Sequence, residues 1–152
     1  MASPSFRKLR ETMIKEDLLP NIKDTRILKA FSKVPRELFV HPLLRERAYS
    51  NQPLPIAYGQ MISQPFIVAL MCEILHIEKE DKILDIGTGS GYQAAILSQL
   101  CHQVISIERI TEMAVNASSL LKQLKYNNIK VVIGDGSLGY KEEAPYDKII
   151  AA

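Results

Sequence analysis

Residues 82–93, Lys-Ile-Leu-Asp-Ile-Gly-Thr-Gly-Ser-Gly-Tyr-Gln, constrain the fold more than any other stretch. Ile83, Leu84 and Ile86 read as a buried strand, the glycines at 87, 89 and 91 as a tight turn, and residues 94–97 as the body of a helix. Glycine opens backbone conformations closed to other residues and lets a ligand approach the main chain. The helix behind the turn is expected to point its free N–H groups at the same spot, a place for a polar or anionic group. Such a strand–turn–helix belongs at the carboxyl end of a parallel sheet, where α/β proteins hold cofactors. A tight turn needs glycine for steric reasons as well, so the loop alone does not decide between cofactor site and simple turn.

The rest of the chain repeats this alternation. Strands are predicted over residues 82–86, 104–108, 129–133 and 146–152. Between the second and third, Thr111 is expected to cap a helix that buries Met113, Ala117, Leu120, Leu121 and Leu124. Short β-α-β connections demand a parallel sheet covered by helices with right-handed crossovers, hence an α/β, Rossmann-like, doubly wound, mostly parallel sheet.

A helical segment precedes it. Ser5 caps a first helix with Phe6, Leu9, Met13 and Leu18 inward, ended by Pro20. Asp24 caps a second (Ile27, Leu28, Phe31), stopped at Val34-Pro35. Residues 48–60, with Pro53, Pro55 and Gly59, read as a loop or irregular hairpin, and loops of that length are usually functional. Ser63 followed by Pro65 reads as a helix start with Ser63 as cap, and Ile67, Leu70, Met71, Ile74 and Leu75 follow the spacing of a buried face.

At 152 residues, 47% hydrophobic and 24% charged, the chain is expected to form one domain, with 1–80 as an N-terminal, substrate-side segment and 81–152 as the β-α-β core. A net charge of +2 gives no argument for nucleic acid or an anionic membrane surface. Two cysteines, Cys72 and Cys101, make no disulfide framework, and scattered His41, His76 and His102 suggest no metal. Neither a secretory signal nor a bilayer-spanning run is found, so the expected setting is the cytoplasm.

The spacing of the glycines departs from the dinucleotide fingerprint: the third comes one position early, at Gly91, and Asp85 precedes the loop. The D-x-G-x-G-x-G pattern resembles instead the first motif of Rossmann-like S-adenosylmethionine-dependent methyltransferases. Glu108 ends the second strand about 20 residues past the turn, where an acidic side chain accepts ribose hydroxyls. Pairing with Arg109 is the plainer alternative. Asp135, between Gly134 and Gly136, would meet adenine or merely form a turn. With Asp85 they put three acidic residues at the ends of adjacent strands, which favours a nucleoside pocket.

Several stretches together resemble protein-L-isoaspartate O-methyltransferase: Val34-Pro35-Arg36-Glu37-Leu38-Phe39, Pro53-Leu54-Pro55-Ile56, Ile62-Ser63-Gln64-Pro65, the 84–95 loop and helix, Ser106-Ile107-Glu108-Arg109 and Gly134-Asp135-Gly136. Asp85 stands where many relatives carry Glu, and His41 is an addition between Val40 and Pro42. The resemblance implies methyl transfer from S-adenosyl-L-methionine to the α-carboxylate of L-isoaspartyl residues in damaged proteins and peptides. It makes Ser63 the active-site residue and assigns cofactor contacts to Ser63, Asp85, Gly87, Thr88, Gly89, Gly91, Glu108, Asp135 and Gly136, with no metal.

The strands with which relatives complete the sheet are not found after Ala152. The fourth strand is therefore expected at an edge, with Ile149 and Ile150 losing cover and the edge open to pairing with another copy. Two alternatives stay open: a related methyltransferase with another acceptor, and a fragment that binds cofactor without turnover.

Overall fold

The computed structural model describes residues 5–152. The Ser5 hydroxyl accepts the Lys8 N–H and starts α1 (Phe6–Met13), which widens into one π-helical turn at Ile14–Leu18. Asp24 caps α2 (Thr25–Lys33) by accepting the Arg26 N–H at 2.8 Å; Val34, forced extended before Pro35, ends it. Two 3-10 turns, Arg36–Leu38 and Pro42–Arg47, lead into an irregular hairpin. Its arms, β1 (Leu54–Pro55) and β2 (Met61–Ile62), pair antiparallel.

Two expectations about α3 (Pro65–Ile74) need correction. Ser63 lies one residue too early to cap it; the first turn is satisfied by Asn51, whose Oδ1 accepts the Phe66 N–H at 3.1 Å. Of the expected face, Leu70, Met71 and Leu75 are half-buried and pack on the core, but Ile67 and Ile74 are exposed, and the fully buried residues are Pro65, Val68, Ala69 and Cys72. Residues 65–75 are apolar on almost every side, so hydrophobicity cannot select a face. Packing against α2 and the π-turn selects the smaller side chains, which let helices come close.

The core is a four-stranded, all-parallel sheet in the order β5-β4-β3-β6. It is built from β3 (Lys82–Ile86), α4 (Tyr92–Ser98), β4 (Gln103–Glu108), α5 (Thr111–Gln123), β5 (Ile129–Ile133) and β6 (Lys148–Ala151). Strands β3 and β5 cover the residues expected of them. β6 starts later, because Asp147 is spent joining the chain to Lys82: its N–H donates to Lys82 O and its carboxylate accepts the Lys82 N–H, at 2.9 and 2.8 Å. The residue before α5 is Ile110, so Thr111 is already helical and caps nothing; Glu108 accepts the Ile110 N–H.

Alternation along the strands divides the core. Ile83 and Val104 face α4 and the N-terminal helices, in a cluster running from Met13 to Ile150. Leu84, Ile105, Ile107 and Val132 face the other way, against Tyr140 and Tyr146. In the register, Asp85 lies beside Ser106. At the β6 edge Ile149 is 57% exposed, as expected, but Ile150 is buried in the main cluster.

Candidate active site

The glycine loop joins β3 to α4 at the carboxyl end of the sheet. Gly87, Gly89 and Gly91 all have positive φ. At Gly91 the requirement is doubled, because a Cβ there would also stand 3.2 Å from Leu121 of α5. Most of the loop's own N–H groups are already engaged within the protein. Those of Gly87 and Thr88 donate to Ile107 O, that of Gly91 to Thr88 O, and that of Gly89 to the Glu108 carboxylate at 2.9 Å. These bonds hold the loop backbone to the end of β4.

Glu108 is buried and accepts two N–H groups, from Gly89 and from Ile110, so it pins the loop and starts α5 at once. Among the described residues no ion pair joins it to Arg109. Asp85 has no exposed surface. Its carboxylate accepts from Ser106 Oγ at 2.6 Å and Gln93 Nε2 at 2.9 Å, and Ser106 bonds onward to Thr88 Oγ1 at 2.7 Å. Burial pushes its carboxyl up to about 6, against the pull of those two donors. Lying under the loop, Asp85 shapes the site from below; the direct ligand contact expected of it has no surface through which to occur.

Ser63, Gly87, Thr88 and Gly89 line one narrow cleft of about 30 Å³, together with Ser90, Tyr92 and Gln93. What brings Ser63 there is Arg36, which is fully buried. Its Nη2 donates to Ser63 O and its Nε to Ala48 O, both at 2.8 Å, and its guanidinium lies 4.7 Å from the centre of the Tyr92 ring. The first residue of α4 is thereby tied to the segment that carries Ser63. Burial lowers the Arg36 pKa, and Arg36 Nη1 has no partner among the described residues.

Asp135 and Gly136 stand apart from this cleft, past the end of β5. Asp135 is exposed and accepts the Ser137 N–H at 3.0 Å, a bond that lowers its pKa and matches the turn alternative. Gly136 approaches the sheet so closely that a Cβ would lie 2.4 Å from Ile86 Cγ2. On the other side of the loop, Gly89 and Ser90 also border a wider apolar cavity of about 480 Å³ walled by Phe39, Leu44, Ile56 and Met113. Sequence reasoning gave no role to Gln93, Ser106, Asn51 or Arg36 singly. Ser106 did carry a signal, a polar residue at an inward position of an otherwise apolar strand.

The protein-L-isoaspartate(D-aspartate) O-methyltransferase family model matches residues 8–152. The chain belongs to that family. It is 51% identical over 150 residues to a protein-L-isoaspartate O-methyltransferase of a Synechococcus strain, covering 98% of this chain and 62% of that one. It is likewise 51% identical to protein-L-isoaspartate O-methyltransferase 2 of Pelobacter propionicus, covering 99% of this chain and 68% of the relative. A solved protein-L-isoaspartate O-methyltransferase superposes with a TM-score of 0.81 at 30% identity, over 97% of this chain and 47% of its own. A Plasmodium falciparum structure, described as a β-aspartate methyltransferase in complex with S-adenosyl-L-homocysteine, shares the fold at TM-score 0.77 and 21% identity. The chain thus spans about two thirds of the length of these curated isoaspartyl methyltransferases and under half of the solved one. Among its described residues no helix is long and apolar enough to cross a membrane.

Proposed function

We propose that the chain transfers a methyl group from S-adenosyl-L-methionine to the α-carboxylate of L-isoaspartyl residues in damaged proteins and peptides. One observation carries this reading: Ser63, from the N-terminal half, opens into the same cleft as Gly87, Thr88 and Gly89 of the loop. The residues suit the cofactor. Each Glu108 oxygen accepts one N–H and keeps a further lone pair for a ribose hydroxyl, and Asp135 offers an exposed acceptor for an adenine amino group.

When bound, the cofactor supplies an electrophilic methyl group on a sulfonium. The acceptor carboxylate, with an ordinary pKa of about 4, is ionised at neutral pH and needs no base. The work left to the chain is alignment, since holding reacting atoms about 3–3.5 Å apart is worth many orders of magnitude in rate. Ser63 Oγ would orient the carboxylate as a hydrogen-bond donor, while Arg36 holds the Ser63 backbone. No His, Lys or Cys lines the cleft to activate Ser63 as a nucleophile. Free, buried Cys72 and Cys101 suit a reducing, cytoplasmic setting.

The test is transfer of labelled methyl to an isoaspartyl peptide, with the matched aspartyl peptide as control. Base-labile label on the isoaspartyl peptide alone is expected. Label on both would overturn the substrate assignment, and label on neither, with cofactor binding intact, would favour binding without turnover.

A further inference from the structure

Gln93, on the first turn of α4, is 6% exposed, and its Nε2 donates to Asp85 Oδ1 at 2.9 Å. That bond fixes the orientation of the amide: an ionised carboxylate only accepts, so the NH₂ must face Asp85 and the oxygen must face away. Gln93 Oε1 is buried and has no hydrogen-bond partner among the described residues. A buried amide oxygen left unpaired is costly, and each such group calls for an explanation.

The side chain lines the cleft that Ser63, Gly87 and Thr88 also line, and about 30 Å³ is room for one group the size of a water or an ammonium. The surroundings select between these two. Asp85 beneath has no cationic partner, being held by the Ser106 hydroxyl and the Gln93 amide, and Glu108 places a second negative charge near it. Among the described residues, neither carboxylate is in an ion pair. An acceptor above two uncompensated carboxylates is best matched by a cationic N–H donor.

We infer that Gln93 Oε1 accepts a hydrogen bond from the α-ammonium of the cofactor's amino-acid part, which makes Gln93 a cofactor-binding residue beyond the glycine loop. The inference rests on the methyltransferase reading above. It gives the buried Asp85 a function as well: through Gln93 Nε2 it holds the amide turned with its oxygen to the cleft.

The test is calorimetric and needs no turnover. Binding of S-adenosylhomocysteine, which carries the ammonium, is compared with binding of 5′-methylthioadenosine, which has the same nucleoside and sulfur without the amino-acid part. Gln93→Met is expected to weaken S-adenosylhomocysteine about tenfold and leave 5′-methylthioadenosine unchanged, as for the loss of one charge-assisted bond. Ser106→Ala, which removes the bond to Asp85 Oδ2 and leaves the bond between Asp85 Oδ1 and Gln93 in place, should change both ligands by one common factor. An equal factor for both ligands in Gln93→Met would overturn the inference and assign the oxygen to a structural water.

A second arm keeps the protein unaltered. S-adenosylhomocysteine with its amino group replaced by hydrogen should bind about tenfold more weakly than the parent, and equal affinity would sink the ammonium contact. Failure of the unaltered protein to bind S-adenosylhomocysteine at all would remove the methyltransferase reading, and this inference with it. Binding without discrimination removes this inference alone.

Discussion

Asp85→Asn is expected to stabilise the protein at neutral pH and to do so less and less as the medium is acidified. The substitution preserves every hydrogen bond in the cluster. The amide oxygen still accepts from Gln93 Nε2, and the amide NH₂ turns to Ser106, whose hydroxyl rotates to donate to Thr88 Oγ1, 2.7 Å away. Only the charge is lost. The carboxyl is raised from 3.8 to about 6 in the folded protein, so the fold holds this proton more tightly than the unfolded chain does. Its contribution to stability is therefore complete below the unfolded value and lost as pH rises through the folded one. That loss is about 3 kcal/mol at pH 7 and about 0.5 kcal/mol at pH 4. The advantage of Asp85→Asn should thus grow by roughly 2.5 kcal/mol between pH 4 and pH 7, or roughly 5–10 °C in Tm for a chain of this size. Urea and thermal unfolding of both proteins from pH 4 to pH 8 measure it. A gap that is the same at every pH would refute the reasoning, because it would mean that Asp85 ionises in the fold as easily as in the open chain.

Other substitutions separate support from chemistry. Ser63→Ala should lower methyl transfer to an isoaspartyl peptide roughly tenfold to a hundredfold, the worth of one hydrogen bond to a charged group. Its Tm should hardly move, since Arg36 uses the Ser63 carbonyl and not its hydroxyl. Asn51→Ala removes the acceptor for the Phe66 N–H and should cost about 1 kcal/mol, read as a lower urea midpoint at unchanged slope. Gly136→Ala would set a methyl 2.4 Å from Ile86 Cγ2, and overpacking of this kind costs about 1–3 kcal/mol; an unfolding midpoint equal to that of the unaltered protein would show that the β5 end yields freely.

The chain discloses its α/β alternation because strands and helices differ in period, and that contrast is strong after residue 80. β3 and β5 fall on the expected residues, and the caps at Ser5 and Asp24 act locally, so three or four neighbouring residues suffice to find them. What stayed hidden is non-local. The acceptor for the start of α3 comes from Asn51, fifteen positions away, where a nearer serine satisfied the same rule on paper. The face of α3 was undecidable because nearly every side of it is apolar, and the choice belongs to its neighbours. At the site, Ser63, Gly87, Thr88 and Gly89 could be named from the motif, but the place of Gln93 in the cleft and the engagement of the loop's own N–H groups with β4 could not. The latter depends on the distance between two strand ends, a property of the sheet.

Arg36 has a consequence for how this protein comes apart. Its guanidinium joins the carbonyls of Ala48 and Ser63 to the Tyr92 ring, across the boundary that separates the helical segment from the α/β core. Neither side can loosen without stranding a buried cation, and breaking such an arrangement is among the more expensive events in a protein interior. The division near residue 80 is therefore one of pattern along the chain and not of cooperative unit. In hydrogen exchange, amides of α2 and of β3 should open together, in the same slow event. Cutting the chain at that boundary should yield two pieces that fold only in each other's presence.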